Sequence, residues 1–474
     1  MKTLTTNHLC VAVVVAAFAV ASCTSIVKPN AGTDAGVNES VGTSFEPTDT
    51  IAEDTCYQDI DNQTVENVTI QYADDQNGGD AELMPVYLNG KWGYVDYNGQ
   101  LAIKNQFDLA FYFARNGLAV VKLNDRYGYI DKTGQFVIEP KYRNAGAFFN
   151  GLAMVLNSGK WGYINKKDQF VIKPQFDGAR GFVRNKIVRV KQDGLYGFID
   201  KTGRFVIEPQ FDEVDDFTDD GWARVKQGKK WGFINNDGHI AVIPQFNKVL
   251  DFADNGLAAV RDKGRWGYIN RTGNYVIQPR FSNAGSFASN GLAAAKVKGK
   301  WGYIDTSGEF VIEPEFDDAD NFADNGLAAV SSGGKYGYIN NLGEFVINPQ
   351  FEYAYKYYNA NMAKIKLNGK YGYIDAKGVF IVEPRFEVLE RFAGNGLAAV
   401  KFDGKWGFID KTDNLVIEPQ YDNAKDFENG LAAVCLNGKW GYIDETGEAI
   451  IDFKFERVLL YKNTDICPED VSTF

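Results

Sequence analysis

Few side chains in this sequence have the types and spacing that catalysis requires. Beyond the apolar N-terminal segment the chain holds one histidine, His239, so it offers no Ser–His or Cys–His pair and no histidine-based zinc site. Neither a glycine-rich phosphate loop nor a nucleotide fingerprint is present. The acidic stretches FDEVDDFTDDG and FDDADNFADNG lack the ordered ligand spacing of calcium loops and are expected to be solvated turns. The sequence therefore predicts no enzyme activity, no cofactor and no metal site, with His239 in an exposed turn.

An aromatic residue followed by glycine is the recurring pair most capable of binding a ligand, because a flat ring can stack on a sugar or a choline group. Tryptophan and tyrosine exchange freely at the aromatic position, whereas the glycine never changes. Such tolerance suits packing between neighbouring units, with the glycine letting the next backbone approach closely. We therefore interpret the rings as structural pegs, and largely exposed rings would contradict this. The pair occurs eleven times, at Trp92, Tyr127, Trp161, Tyr196, Trp231, Trp266, Trp301, Tyr336, Tyr371, Trp406 and Trp440.

Candidate binding residues stand where copies of the repeat disagree. The third residue of the recurring LAAV stretch becomes Arg189, Arg224 and Lys364. A long cation needs access to solvent, so we expect this strand to line a groove, with the two arginines close enough to attract an anion. Exposed tyrosines are typical of recognition surfaces, and the stretch FEYAYKYYNAN has tyrosines in place of small or acidic connector residues. These are Tyr353, Tyr355 and Tyr358.

The elements that position these residues follow from one repeated unit, whose aromatic–glycine pairs are 35 residues apart except for two steps of 34. In residues 256–290, GLAAVRDKGRWGYINRTGNYVIQPRFSNAGSFASN, the stretches LAAV, WGYIN and YVIQP are predicted strands. Asp or Asn followed three residues later by Gly predicts a bulged hairpin, and Asp168 and Asp413 replace that glycine in two units. Nine of the thirteen prolines are expected to end the third strand. The connector FDxAxxF is expected to form a helical turn or an ordered loop.

The joint recurrence of WGYID, FVIEP and NGLAAV over about residues 82–461 resembles the WG-repeat proteins of bacteria. The resemblance implies a repetitive extracytoplasmic or interaction module and supplies little chemistry. Both faces of each strand are apolar, so one unit needs a neighbour on each side. We predict an all-β array of about eleven 35-residue, three-stranded antiparallel β-meander repeats over residues 80–462. Because propellers usually have four to eight blades, an open superhelical array is favoured, with one closed β-propeller or two propellers as alternatives.

The N-terminal residues predict export and a lipid anchor. Residues 1–22 read as a signal peptide, because the apolar run 9–21 is too short to span a bilayer. It ends in VASC, which resembles a bacterial lipobox and predicts lipidation of Cys23, with an ordinary signal peptidase site as the alternative. Residues 23–79 are expected to form a flexible tether, and residues 463–474 a C-terminal cap or tail. The body is thus expected in the bacterial cell envelope. The outer membrane is favoured over the inner, because Thr24 is not the aspartate of many retained lipoproteins.

Composition limits the partners. The formal net charge of −12 argues against nucleic acid and against contact with anionic membrane surfaces beyond the lipid anchor. Cys56, Cys435 and Cys467 permit one disulfide, and its pairing is open. The predicted function is a membrane-tethered, non-enzymatic repeat scaffold that binds an envelope protein or glycan. A carboxylate-based polysaccharide hydrolase or lyase and a purely structural envelope protein are the alternatives.

Overall fold

The computed structural model describes residues 83–182, 187–358, 361–459 and 464–466, which form forty-five β-strands and no helix. No described residue therefore lies in a helix able to cross a membrane. The predicted signal peptide, Cys23 and the tether lie outside the described residues. In chain order the strands are β1 (Met84–Leu88), β2 (Lys91–Val95), β3 (Leu101–Phe107), β4 (Leu109–Phe113), β5 (Ala119–Leu123), β6 (Arg126–Ile130), β7 (Phe136–Tyr142), β8 (Asn144–Ala145), β9 (Ala153–Asn157), β10 (Lys160–Ile164), β11 (Phe170–Phe176), β12 (Gly178–Ala179), β13 (Ile187–Gln192), β14 (Leu195–Asp200), β15 (Phe205–Phe211), β16 (Glu213–Val214), β17 (Trp222–Gln227), β18 (Lys230–Asn235), β19 (Ile240–Phe246), β20 (Lys248–Phe252), β21 (Leu257–Asp262), β22 (Arg265–Asn270), β23 (Tyr275–Phe281), β24 (Asn283–Ala284), β25 (Ala293–Val297), β26 (Lys300–Ile304), β27 (Phe310–Phe316), β28 (Asp318–Ala319), β29 (Ala328–Ser332), β30 (Lys335–Ile339), β31 (Phe345–Phe351), β32 (Tyr353–Ala354), β33 (Ala363–Leu367), β34 (Lys370–Ile374), β35 (Phe380–Phe386), β36 (Val388–Leu389), β37 (Ala398–Phe402), β38 (Lys405–Ile409), β39 (Leu415–Tyr421), β40 (Asn423–Ala424), β41 (Ala432–Leu436), β42 (Lys439–Ile443), β43 (Ala449–Phe455), β44 (Arg457–Leu459) and β45 (Thr464–Ile466).

The strands form eleven antiparallel sheets, which are the blades of one closed β-propeller. Blade 2 contains β4–β7, and each later blade contains the next four strands in chain order, up to β40–β43 in blade 11. Blade 1 contains β1–β3 from the start of the described chain and β44 from its end, where Val86 is paired with Val458. The last strand of the repeat array therefore closes the ring, and β45 of the predicted C-terminal tail extends the same sheet. The closed alternative is confirmed, and the favoured open array is wrong.

Each blade has four strands that we call A, B, C and D in order across the sheet; β44 is strand A of blade 1, where β45 is a fifth strand. Strands B, C and D are the three predicted from LAAV, WGYID and FVIEP. Strand A comes from the connector FDxAxxF and is only two residues long in most blades, as in β24 and β28. The predicted helical turn is thus wrong, because the connector backbone pairs with strand B at Ala284 and Ala295.

The turns follow the predicted chemistry. Strands B and C are joined by two residues that usually both have positive φ, such as Lys263 and Gly264, which matches a type I′ hairpin. In the C–D turn of blade 7, Asp305 Oδ1 accepts hydrogen bonds from the backbone N–H groups of Ser307 and Glu309. Where glycine is missing from this turn, Asp168 and Asp413 take the left-handed conformation, with φ of 61° and 68°.

The prolines lie inside strand D rather than at its end. Strand D of blade 7 runs from Phe310 through Pro314 to Phe316. Strand D is an edge strand, so proline costs no ladder hydrogen bond on its open side. The expectation that proline ends this strand is therefore wrong.

The core lies between blades, because both faces of strand B and most of strand C are buried. One such cluster joins Tyr163 and Phe176 of blade 3 to Phe182 and Val190 of blade 4. Strand D alternates, with Ile312 and Phe316 buried and Val311 50% exposed. No blade can bury these faces alone, so each blade is stabilised by its neighbours.

Cys435 of β41 is disulfide-bonded. It is the only cysteine among the described residues. Its partner therefore stays open.

Candidate functional site

The rings of the eleven aromatic–glycine pairs are buried or half-buried, and none is classed as exposed. Trp92, Tyr127, Trp266 and Trp440 are fully buried, with 7% exposure or less. In several of the half-buried cases a lysine from strand B covers the ring, as Lys296 does for Trp301 at 5.4 Å from its centroid. This environment is the one expected for packing pegs, and that role stays our interpretation.

The invariant glycine is required because another backbone lies very close to it. A Cβ on Gly267 would lie 2.5 Å from the carbonyl oxygen of Ile277 and 2.7 Å from the nitrogen of Pro279. Both atoms belong to strand D of the same blade, where the C–D pairing changes register. The expected close approach of a backbone is therefore found, and that backbone is strand D of the same blade.

In seven blades the tyrosine two residues after the aromatic peg donates a hydrogen bond to the next blade. In blade 6 the Tyr268 hydroxyl donates to the carbonyl of Gly285 in blade 7 at 2.7 Å. The same bond to the following blade recurs from Tyr94, Tyr129, Tyr163, Tyr303, Tyr338 and Tyr373. Phenylalanine occupies this position at Phe198, Phe233 and Phe408, so those blades lack the bond.

Two of the phenylalanine blades carry the predicted arginines instead. The Arg189 side chain is only 6% exposed; it donates to the carbonyl of Val214 and pairs with Asp216, both in the next blade. Arg224 pairs with Asp215 at 2.6 Å and with Asp251 of the next blade at 3.2 Å. The expectation of solvent access is wrong for Arg189, because a carboxylate across the blade interface compensates its charge.

A cleft of about 110 Å³ lies beside Arg189 in blade 4. Arg180, Lys191 and Tyr196 also line it, whereas Arg224 does not. Its lining contains no carboxylate, so it is not the paired-acid pocket that a polysaccharide hydrolase requires.

Four tyrosine rings from two adjacent blades form the most distinctive surface of the described residues. Tyr336 is in strand C of blade 8, and Tyr371 is in strand C of blade 9. Tyr353 is in strand A of blade 9 and Tyr355 directly follows that strand; we call strand A with the residues that follow it the A segment. The ring centroids of Tyr336 and Tyr353 are 5.0 Å apart, and those of Tyr353 and Tyr355 are 4.7 Å apart. All four side chains are half-buried. We call these four residues the tyrosine cluster.

Charged groups border the tyrosine cluster. The Tyr336 hydroxyl donates to Asp318 Oδ2 at 2.7 Å. The Lys364 ammonium lies over Tyr371 at 4.7 Å and over Tyr355 at 5.5 Å from the ring centroids. Burial lowers the pKa of Lys364, and the negative charge of Glu390 opposes this. Burial, followed by repulsion from Asp318, raises the pKa of Asp320 to about 6.

Burial raises the pKa of three hydroxyls of the cluster, those of Tyr336, Tyr353 and Tyr355. Burial is the first cause that raises the pKa of Tyr355 to about 12, with Tyr371 next to it as the second. Burial and the bond to Asp318 likewise raise the pKa of Tyr336. At neutral pH these hydroxyls keep their protons, and the proton of Tyr336 is already donated to Asp318.

The structure regroups the predicted candidates. Tyr353, Tyr355 and Lys364 come together, although they were predicted as parts of separate patches. Tyr358 lies apart from them and packs under Arg391 of blade 10, whose guanidinium carbon is 5.1 Å from the ring centroid. The acidic neighbours Asp318 and Asp320 belong to the stretch FDDADNFADNG, for which the sequence predicted solvated turns rather than a place beside the tyrosines. A sequence signal for the tyrosine cluster was the presence of tyrosine at two consecutive peg positions, Tyr336 of blade 8 and Tyr371 of blade 9.

The remaining predictions concern metal and histidine chemistry. Among the described residues no group of three or more His, Cys, Asp or Glu side chains could hold a metal ion. His239 is exposed, and its backbone N–H donates to Asn235 Oδ1 in a C–D turn. Its side chain thus lies away from the tyrosine cluster, in blade 5.

Comparison with known families and structures gives one strong match. A family model described as "WG containing repeat" matches eleven consecutive segments that together span residues 92–463. No curated protein matches the chain. Similar solved structures include a eukaryotic initiation factor, with 11% identity, 64% of this chain and 95% of that chain covered, and a TM-score of 0.32. Hsv2p of Kluyveromyces lactis is 13% identical, with 53% of this chain and 89% of that chain covered and a TM-score of 0.28. The extracellular domain of a putative one component system from B. thetaiotaomicron is 7% identical, with 78% of this chain and 70% of that chain covered and a TM-score of 0.23. TM-scores this low support no conclusion about this chain.

Proposed function

The chain belongs to the family of WG-containing repeat proteins, and from that premise we propose that it is a non-enzymatic scaffold that binds a protein or glycan partner. Binding is the activity that a rigid ring with few catalytic side chains supports best. The consensus residues of each blade are engaged in packing, turns and bonds between blades. Recognition is therefore assigned to residues that depart from the consensus.

The tyrosine cluster is the observation that carries this proposal. It combines half-buried rings with hydroxyl donors and fixed charges, a composition typical of the anchors in binding sites. The turns and interblade packing do not require it, because other blades have Asn283 and Gly285, or Asn144 and Gly146, where blade 9 has Tyr353 and Tyr355. These tyrosines therefore add surface chemistry rather than fold stability.

Crosslinking tests this assignment. The full chain, with a photoreactive group near Tyr355, is expected to capture one envelope protein or polysaccharide repeatedly. A Tyr353→Ala/Tyr355→Ala variant with a native circular dichroism spectrum should lose at least 90% of that capture. The matched control is Phe380→Ala, which removes an exposed ring from strand D of the same blade, 36% exposed. Equal capture by the double variant and the control contradicts the proposal.

A carboxylate-based hydrolase or lyase is the second candidate, and the pair Asp318 and Asp320 favours it. Two nearby carboxyls are the usual arrangement for acid-catalysed glycosidic cleavage. Release of reducing ends or unsaturated products from envelope polysaccharides, lost in Asp320→Asn, would establish this activity and end the non-enzymatic proposal. We expect no release.

Tethering at the outer membrane of the bacterial envelope through Cys23 is part of the proposal, and it is supported by the VASC motif. Cells that express the full chain should incorporate labelled fatty acid into it. Cys23→Ala should abolish that labelling and release the protein from the membrane fraction. Unchanged labelling in the variant contradicts the anchor assignment.

A further inference from the structure

We propose that the tyrosine cluster binds an uncharged oligosaccharide, an inference that rests on the proposed binding function and names its ligand class. The rings supply the stacking surface, and the hydroxyls and charged groups around them supply hydrogen bonds. The charged groups beside the rings determine which ligand charges this surface can accept.

A cationic ligand is disfavoured because the protein's own cation occupies the ring faces it would use. Aromatic cages bind ammonium groups through the negative face of the rings. Lys364 already makes that contact with both Tyr355 and Tyr371. Lys366 adds a second ammonium 5.3 Å from the Tyr371 centroid. An incoming cation would meet two positive charges, so these rings are poor sites for choline or a basic peptide.

An anionic ligand is disfavoured on the other side of the cluster. Asp318 accepts the hydroxyl of Tyr336 and stays directed at the rings. Asp320 follows two residues later on the same segment, and a carboxylate or sulfate placed beside both would be repelled. With acids on one side and lysines on the other, the surface as a whole favours a ligand without net charge.

A sugar ring fits the remaining requirements. Its C–H groups carry partial positive charge and can pack against the half-buried rings of Tyr336 and Tyr353. Its hydroxyls can donate to Asp318 and to the oxygen of the Tyr336 hydroxyl, and they can accept from the hydroxyl of Tyr353. The ring centroids of Tyr336 and Tyr353 are 5.0 Å apart, so one sugar unit can contact both rings.

Calorimetric titration of the full chain with neutral glucan, mannan and chitin oligosaccharides tests the inference. At least one is expected to bind, and Tyr353→Ala/Tyr355→Ala should weaken it at least tenfold, or about 1.4 kcal/mol. Tyr355→Phe keeps the ring and should change affinity less than threefold, and Phe380→Ala should not change it. Choline and sulfated oligosaccharides serve as charged probes and should bind at least tenfold more weakly than the neutral sugar.

Three results would overturn the inference. One is tighter binding of choline or of a sulfated sugar. Another is affinity for a neutral sugar that the double variant does not change. The third is capture of a protein through Tyr355 with no affinity for any neutral sugar, which leaves the proposed binding function standing. If the double variant changes neither the captured amount of partner nor the affinity for the neutral sugar, the proposed function and the saccharide inference both fail.

Discussion

Replacing Asp320 by asparagine should stabilise the protein at neutral pH and leave it unchanged in acid. Burial raises the pKa of this carboxyl from 3.8 to about 6, with repulsion from Asp318 second and Lys356 opposing. Since one pKa unit corresponds to 1.36 kcal/mol, ionised Asp320 costs the folded state up to about 3 kcal/mol. The folded-state pKa lies above the unfolded value, so the contribution of Asp320 to stability is fully present below pH 4 and is lost as pH rises through 6. Asparagine does not titrate and avoids this loss.

Thermal unfolding of the full chain between pH 4 and pH 8 measures the difference. An unfolding entropy of about 2.1 cal/mol/K per residue over roughly 380 residues makes 3 kcal/mol equivalent to a Tm shift of about 4 °C. Asp320→Asn should therefore melt about 4 °C above wild type at pH 8 and at the same temperature at pH 4. Asp237→Asn, in an exposed turn, is the control and should match wild type throughout. A variant less stable than wild type at pH 8, or an offset independent of pH, would refute the reasoning.

Three further predictions concern the ring. Tyr268→Phe should lower the free energy of unfolding by about 1 kcal/mol, because it removes a bond between blades, whereas Phe408→Tyr should raise it by a similar amount, both measured by urea unfolding. Gly267→Ala should abolish soluble expression, since its Cβ has no room beside strand D, whereas Gly394→Ala, with no atom within 4 Å of its Cβ, should fold normally by circular dichroism. Deleting the chain from Arg457 onward removes β44, so hydrogen exchange should show lost protection in β1 with blade 6 unaffected; equal loss in blade 6, or none in β1, would contradict this account of closure.

The strands and turns of one blade could be predicted because their signals are local. Asn-Gly begins strand B, and the Asn290 side chain accepts the N–H of Leu292 at that point. The C–D turn depends on Asp305 and on a left-handed residue three positions later, all within a few residues of sequence. Strand A could not be predicted, because it is only two residues long in most blades and is defined by its backbone pairing with strand B rather than by its side chains.

Ring closure and the tyrosine cluster depend on contacts between blades. Closure requires an average rotation of about 33° per blade, one eleventh of a turn, which arises from the summed packing of interfaces rather than from any motif. Tyr336 and Tyr353 meet because strand C of one blade packs against the A segment of the next, a relation invisible until the blades are stacked. The burial of Arg189 is explained the same way, since Asp216 comes from the neighbouring blade.

The sequence by itself determined the all-β repeat, its period, and strands B to D with their turns, because hydrophobic alternation and turn chemistry act over a few residues. Only the tertiary structure decided that eleven units close into one propeller, that the invariant glycine serves its own edge strand, and that tyrosines of two blades share one surface. Each of these depends on how packed faces lie relative to one another, and residues far apart in the chain establish that relation only after folding.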